Sequence, residues 1–581
     1  MEYPAPPLYS RAVRSPDSDR ASARLLPPAL LGLLAGGALL RLPTFGRPLL
    51  SDDEAIYAAT ADALRVGARL YRDAVDHKPP IIYFLYQAGF AVFGAFETAG
   101  AHLLVVAAVL LTAVTMHAIA RWLAVAPDAP THDARDRGRR EGLAAAALFL
   151  VFSTTWHDYD ALAANCELFL LLPQTLAAAL FLAAHPAAHP AAHPAAHPAA
   201  HPAEARGRFA ARHLGVGVLV GLSALCKYQG VTFLGATLGA LGVDLVRRRL
   251  GVGRALGAAL AEICGTFVPA VAFLAFAQAT GSLRATLDWF GFNFLYVGAG
   301  LSGGEAVLRG LSRTAMIGAM ALPVYACGLA AAAATLRRLV GALRPGLPPA
   351  ASFRSVPQTP ALFLLFWLAT SVIALCAGGR FFGHYFHLVL APLVLLAAPV
   401  ALRAWRRSAG LRVAFVAATA IPSVGFFVLA TLARPLAERL DEPEPRYQPV
   451  ADRIAALSRP DERLFVWGNS PQIYVLSRRS MGTRFSFCNY MTGESPGTAT
   501  ETGSVSGREA ADRNALAASW DMLFDDLERR RPALFVDAAA AGWDGYDKFP
   551  VGRYPRLSAY LTRNYTRVGE VEHVVIYRRL P

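Results

Sequence analysis

The sequence predicts an α-helical protein that crosses a membrane about eleven times and carries a C-terminal soluble α/β domain. Three observations lead to the helical membrane part. Of 581 residues, 55% are hydrophobic and 17% charged, and the mean hydropathy is +0.36. That composition fits neither a disordered chain nor an ordinary soluble enzyme. The apolar residues fall into runs close to the roughly 20 residues a helix needs to cross a bilayer. Finally, the net charge of +14 is confined to one part of the chain. From Arg434 onward there are 21 basic and 20 acidic residues out of totals of 56 and 42, so the first 433 residues carry nearly all the excess.

Residues 1–24 are polar and rich in Pro and Ser, and read as a cytoplasmic tail. The run 25–42 has no small-residue cleavage site behind it, so it reads as a retained first span and not a signal peptide. Further spans are expected at 100–120, 142–156, 166–183, 213–226, 230–246, 255–279, 313–336, 359–377, 384–401 and 411–433. The basic connections are 11–24, 135–140, 206–212, 247–254, 337–354 and 403–412. The positive-inside bias makes them cytoplasmic. Eleven spans satisfy this parity if 81–96, which is short, aromatic and follows two prolines, lies on the membrane surface as an amphipathic helix. The connections 43–99, 157–165, 227–229, 280–312 and 378–383 then lie outside, together with the domain 434–581.

Within the linker 184–212, the tract 185–203 repeats His-Pro-Ala-Ala. Proline at every fourth position forbids a regular helix and favours extended spacing. A slipped-repeat linker is the reading preferred over a histidine metal site. In the C-terminal domain, 463–467, 533–537 and 573–577 read as strands and 520–531 as a helix. The six cysteines show no CxxC or Cys/His ligand spacing, so no disulfide framework or zinc site is expected. The arginines are spread over many loops without a recognition module, and no nucleic-acid partner is expected.

Two features suggest chemistry. Asp52, Asp53 and Glu54 stand in a row in the first outer loop, either as the acidic first turn of a helix or as part of a site. Only three of the 56 basic residues are lysines, Lys78, Lys227 and Lys548. Lys78 follows His77 and precedes two prolines, where a solvated interfacial lysine is the alternative to a functional one. Lys548 reads as an ordinary surface residue.

The pattern DE-A-x-Y-x-x-x-A, then G-x-x-x-Y-x-D, then KPP before an aromatic helix resembles the first loop of the glycosyltransferase-C superfamily, in its protein O-mannosyltransferase-like and aminoarabinose-transferase-like branch. The resemblance continues through ANCELFLLLP, GLSALCKYQG, GGRFFGHYFHLVLAP and VWGNSPQIYVLSRR, in the family's order across residues 40–480. It implies transfer of one sugar, a hexose or pentose, from a polyprenyl-phosphate donor to a lipid, glycan or protein acceptor outside the plasma (inner) membrane. Asp53 is then the expected base, with Glu54 and Glu167 beside it in the catalytic set; Asp52, one position earlier, is the alternative. Lys78, Arg380, Lys227, His384 and Tyr385 match positions expected at the donor phosphate. Asp52, Asp158, Asp160 and Asn165 are expected to support them. Glu167, His384 and Tyr385 also fit as ordinary interfacial residues. No cofactor is expected; a divalent metal stays open, and a metal-independent reaction is preferred. The alternative from another class is a transporter or flippase for a lipid-linked substrate, although no internal repeat is evident.

Overall fold

The computed structural model describes residues 26–124, 132–154, 159–184, 202–298, 301, 303–342, 359–431, 444–498, 500 and 505–581. The expected tail 1–24, the His-Pro tract up to residue 201 and Asp158 lie outside these residues.

The first helix, α1 (Pro28–Leu40), has proline in its opening turn, where the missing N–H has no helical partner to lose. Two helices of similar length follow, α2 (Asp52–Arg65) and α3 (Ile81–Phe93). The bundle continues through α4 (Ala99–Ala124), α5 (His132–Phe152), α6 (Cys166–Ala184), α7 (Pro202–Cys226), α8 (Phe233–Val246) and α9 (Val252–Ala279). It closes with α10 (Leu283–Gly298), α11 (Gly303–Met320), α12 (Leu322–Ala342), α13 (Thr359–Cys376), α14 (His387–Arg407) and α15 (Ala409–Thr431). α7 packs along α6 and α9, α4 along α5 and α6, α8 along α13, and α14 along α5 and α12. α14 is the central helix, with every residue from His387 to Ala398 buried, as expected of a helix apolar on all sides.

Among the described residues nine helices are long and apolar enough to span a bilayer, or ten if one bent pair counts as a single span. Two expected spans are corrected. The run 313–336 is broken: α11 and α12 meet at 110°. Pro323, the second residue of α12, has no N–H for the carbonyl one turn earlier, and its ring crowds that position. The run 142–156 is the apolar end of α5, which begins at His132 in a charged segment and ends at Phe152. That end is too short to cross alone, yet α5 lies inside the bundle against α1, α4 and α14. The stretch 81–96 forms α3, which is likewise too short to cross.

The C-terminal region contains α16 (Glu444–Leu457), β1 (Leu464–Trp467), α17 (Gln472–Ser477), α18 (Val505–Asn514), α19 (Ala517–Arg530), β2 (Leu534–Asp537), α20 (Pro555–Asn564), β3 (Tyr565–Val571) and β4 (Val574–Arg579). The sheet order is β1-β2-β4-β3, with β1 and β2 parallel and the other neighbours antiparallel. Three strands match the expected segments. β3 was not anticipated, because only Tyr565 on it is buried and the rest lacks an apolar alternation. It is held as a hairpin by Glu572 and His573, both at positive φ, the geometry a two-residue hairpin turn requires.

This region is fastened to the loop between α1 and α4. Val75 N–H donates to the Arg484 carbonyl at 2.8 Å. Ser480 Oγ donates to Asp62 Oδ2 at 2.6 Å, and Arg530 to the Asp73 carbonyl at 3.1 Å. α17 packs directly on α2.

Candidate active site

α2 begins at a cap: Ser51 Oγ accepts the Glu54 N–H at 3.4 Å. Consecutive helical residues point about 100° apart, so the three carboxylates of the first turn reach three different surroundings. Asp52 faces outward and accepts from Gln472 Nε2 at 2.5 Å. Asp53 meets Lys78 Nζ at 2.5 Å and accepts from Tyr57 Oη, one turn further on, at 3.2 Å. Tyr57 also lies 3.0 Å from Lys78 Nζ.

Glu54, expected in the catalytic set, lies elsewhere. It is 0% exposed, accepts the Leu50 and Ala164 N–H groups at 2.6 Å each, and sits 3.1 Å from His102 Nε2. These bonds tie the loop to the start of α6, away from the cavity lining. The helical rotation that turns Asp53 toward the cavity turns its neighbour into the wall.

Burial alone would raise the Asp53 pKa; the charges of Lys78 and His384 outweigh it and hold the carboxyl well below its ordinary range. Burial would lower Lys78, but Asp53 and Asp76 keep it above the ordinary lysine value. Asp76, not anticipated from sequence, accepts from the His77 N–H at 2.7 Å and from Tyr83 Oη at 2.7 Å, with Tyr490 Oη at 3.3 Å. It braces the turn carrying Lys78.

A second set gathers where α6 and α14 begin and α7 ends. His384, in a 3₁₀ turn before α14, pairs through Nδ1 with Asp160, and its Nε2 lies 3.6 Å from Glu167 Oε1. Glu167, at the start of α6, pairs with Lys227, which follows the last residue of α7. The Lys227 ammonium is 4.1 Å from the Tyr385 ring centroid. Asn165 links the two sets: its Nδ2 donates to Asp160 Oδ1 at 2.7 Å and its Oδ1 accepts from Ser51 Oγ at 3.5 Å. Burial would raise Asp160; His384 outweighs it and holds Asp160 low.

Arg380 differs from both lysines. It is 2% exposed, and its Nη2 donates to the Tyr296 carbonyl and to Ser495 Oγ, each at 2.8 Å. Its guanidinium lies 3.5 Å over the Tyr296 ring. Nε and Nη1 have no partner, and among the described residues no carboxylate lies within ion-pair distance of it.

Asp52, Asp53, Lys78, Asp160, Lys227, Arg380, His384 and Tyr385 all border one cavity of about 1640 Å³. Its far end is apolar, lined by Phe290, Phe294 and Leu295 of α10 and by Ile373 of α13. Phe294 and Ile373 remain exposed on the outer surface of the helices. Gln472, Asn489, Glu494 and Asp544 of the C-terminal region also border the cavity, and sequence reasoning missed these. Lys548 is corrected too: its side chain is buried in an ion pair with Glu494 at 3.0 Å, so all three lysines of the chain pair with carboxylates.

No protein-family model matches the chain, and no curated protein sequence matches it. Among solved structures, ArnT from Cupriavidus metallidurans bound to undecaprenyl phosphate aligns with a TM-score of 0.53 at 17% identity, over 95% of this chain and 98% of that one. The chain has the fold of ArnT. ArnT in the apo state gives a TM-score of 0.54 at 16% identity over the same shares of the two chains. The ArnT likeness spans the helical bundle and the C-terminal sheet region alike, since almost nothing of either chain is left out.

Proposed function

We propose that the protein is an integral-membrane glycosyltransferase that moves one sugar from a polyprenyl-phosphate donor to an acceptor hydroxyl, on the outer side of the plasma (inner) membrane. The observation that carries this reading is Arg380, a buried guanidinium with two unpartnered nitrogens and no carboxylate at ion-pair distance among the described residues, bordering a cavity whose adjoining wall is apolar. An uncompensated buried cation is costly unless an anion joins it. A lipid phosphate supplies both the anion and a chain for the apolar end, and the similar ArnT structure holds undecaprenyl phosphate.

In the reaction, the acceptor oxygen attacks the anomeric carbon while the bond from that carbon to the phosphate oxygen breaks, its electron pair leaving with the phosphate. The configuration inverts, and the hydroxyl proton passes to Asp53. The departing phosphate gains a negative charge, which Arg380 and Lys78 stabilise from fixed positions. Lys78 has two roles in sequence. At rest it holds Asp53 ionised; when the donor phosphate arrives, the lysine is shared with it, and Asp53 becomes a stronger base. Glu167, behind the lining, holds Lys227 and His384 in position at the cavity, and Glu54 keeps the loop in place. The ionisable groups that border the cavity collect at helix ends and in loops and not along helix middles, which gives the transporter alternative no support.

The test is transfer by membranes that retain their native polyprenyl-linked sugars, read as the mass of one added sugar. Asp53→Asn should lower the rate by about 10²–10⁴-fold, the range for removing a general base, while the protein still binds undecaprenyl phosphate. Normal transfer by that variant removes Asp53 as the base.

A further inference from the structure

The cavity has a second wall, and its chemistry differs from that of the phosphate side. It is built by the first residue of α2 and by the C-terminal region: Asp52, Tyr447, Asn469, Gln472, Asn489 and Asp544. Gln472 donates Nε2 to Asp52, while its Oε1 has no partner although the residue is only 2% exposed. Asp544 lies close enough to act on Asp52 as a like charge. Its two oxygens accept from Arg446 Nη2 at 3.1 Å and from Tyr447 Oη at 3.3 Å. Asp52 is open to the cavity, yet the surrounding protein and the Asp544 and Asp53 carboxylates raise its pKa to about 7.

The positive charges bordering the cavity are unevenly disposed. Lys78, Lys227 and Arg380 stand on the side that leads to the apolar end. Of the other arginines, Arg446, behind the lining, is taken up by Asp544, Arg47 is buried and has a partner, and Arg513 is exposed. What the C-terminal side offers a ligand is carboxylate and amide oxygens, amide N–H groups and a phenol. Carboxylates accept from hydroxyl pairs, and amides both donate and accept. A phosphate placed here would instead meet Asp52, Asp53 and Asp544 as like charges.

Resting on the glycosyltransferase reading above, we propose that this wall is the acceptor subsite and that it takes a neutral glycan, presenting a sugar hydroxyl to Asp53, and excludes a phosphate-bearing acceptor. The unpartnered Gln472 oxygen accepts one sugar hydroxyl and the Asp52–Asp544 pair accepts others. The C-terminal region thereby selects the acceptor, while the helical bundle holds the donor.

The test uses the full chain in membranes that retain their native polyprenyl-linked sugars, with octyl β-glucoside and octyl phosphate as matched probe acceptors. Mass spectrometry reads one added sugar, and a thermal-shift titration with undecaprenyl phosphate runs in parallel. The expected result is at least tenfold more product on the glucoside than on the phosphate. Gln472→Ala and Asp544→Asn should each raise the apparent KM for the glucoside several-fold and leave the undecaprenyl phosphate shift unchanged. Equal or greater product on octyl phosphate overturns the acceptor assignment, as does unaltered KM in both variants. Absence of both products while undecaprenyl phosphate still stabilises the protein also counts against the neutral-glycan acceptor. Loss of that stabilisation in the unaltered protein instead overturns the donor reading beneath it.

Discussion

Of the buried carboxylates within the membrane helices, two that face a basic side chain have opposite surroundings. Glu167 pairs with Lys227 and lies beside His384, and both of those partners line the cavity. Glu262 of α9 pairs with His213 of α7 at 2.7 Å, both 0% exposed. The helices around Glu262 approach so closely that a Cβ on Gly217 would lie 2.1 Å from the Glu262 carbonyl oxygen, and one on Gly265 2.3 Å from that of Leu214. Nothing can enter there. An ionisable residue inside a membrane protein is a functional hypothesis by default, and here the neighbouring cavity distinguishes the pair we propose to act in transfer from the one that joins two helices.

That contrast is open to direct challenge. Glu167→Gln should reduce transfer by about 10²-fold, in line with the loss of one preorganised electrostatic contact, with the unfolding midpoint nearly unchanged. Glu262→Gln should do the reverse: a lower unfolding midpoint in detergent and turnover per folded molecule within about twofold of the parent. Equal losses of turnover in the two variants would break the distinction. Gly217→Val tests the sealed interface without touching charge. The backbone must shift to admit the side chain, and overpacking of this kind costs about 1–3 kcal/mol, measurable as a lowered midpoint.

The smallest expected effect concerns pH. A carboxylate whose folded pKa is raised binds its proton more tightly in the native state than in the unfolded one. Stability contributed by Asp52 is therefore present below about pH 4 and declines as pH rises through about 7. Over the same upper range Asp52 changes from a hydrogen-bond donor to a charged acceptor, so the apparent acceptor KM should vary between pH 6 and 8. Asp52→Asn, permanently neutral, should flatten that profile; an unchanged profile would remove Asp52 from the acceptor wall.

Much of the bundle was legible because lipid demands long apolar runs, and these stand out in a sequence. The misreadings are local and physical. A single Pro323 bent one run, and α5 hid its length in a charged leader. The half-exposed β3 left no alternation to detect. The expected outer loops do converge on one cavity, and the scarcity of lysine marked residues that proved to be ion-paired. It should have marked Lys548 as well, since the same reasoning applied to it. Gln472 and Asp544 left no local signal: α17 and the turn holding Asp544 reach the start of α2 across more than 400 residues of chain, and only the docked fold reveals it.

The central claim is that Arg380 awaits the phosphate of a polyprenyl lipid. It is tested most directly by the affinity of the purified protein in nanodiscs for undecaprenyl phosphate, compared between the parent and Arg380→Ala. Loss of a buried charge-assisted contact of this kind typically costs about 2–5 kcal/mol, so the affinity should fall by at least tenfold. Equal affinity in the two proteins would contradict the claim.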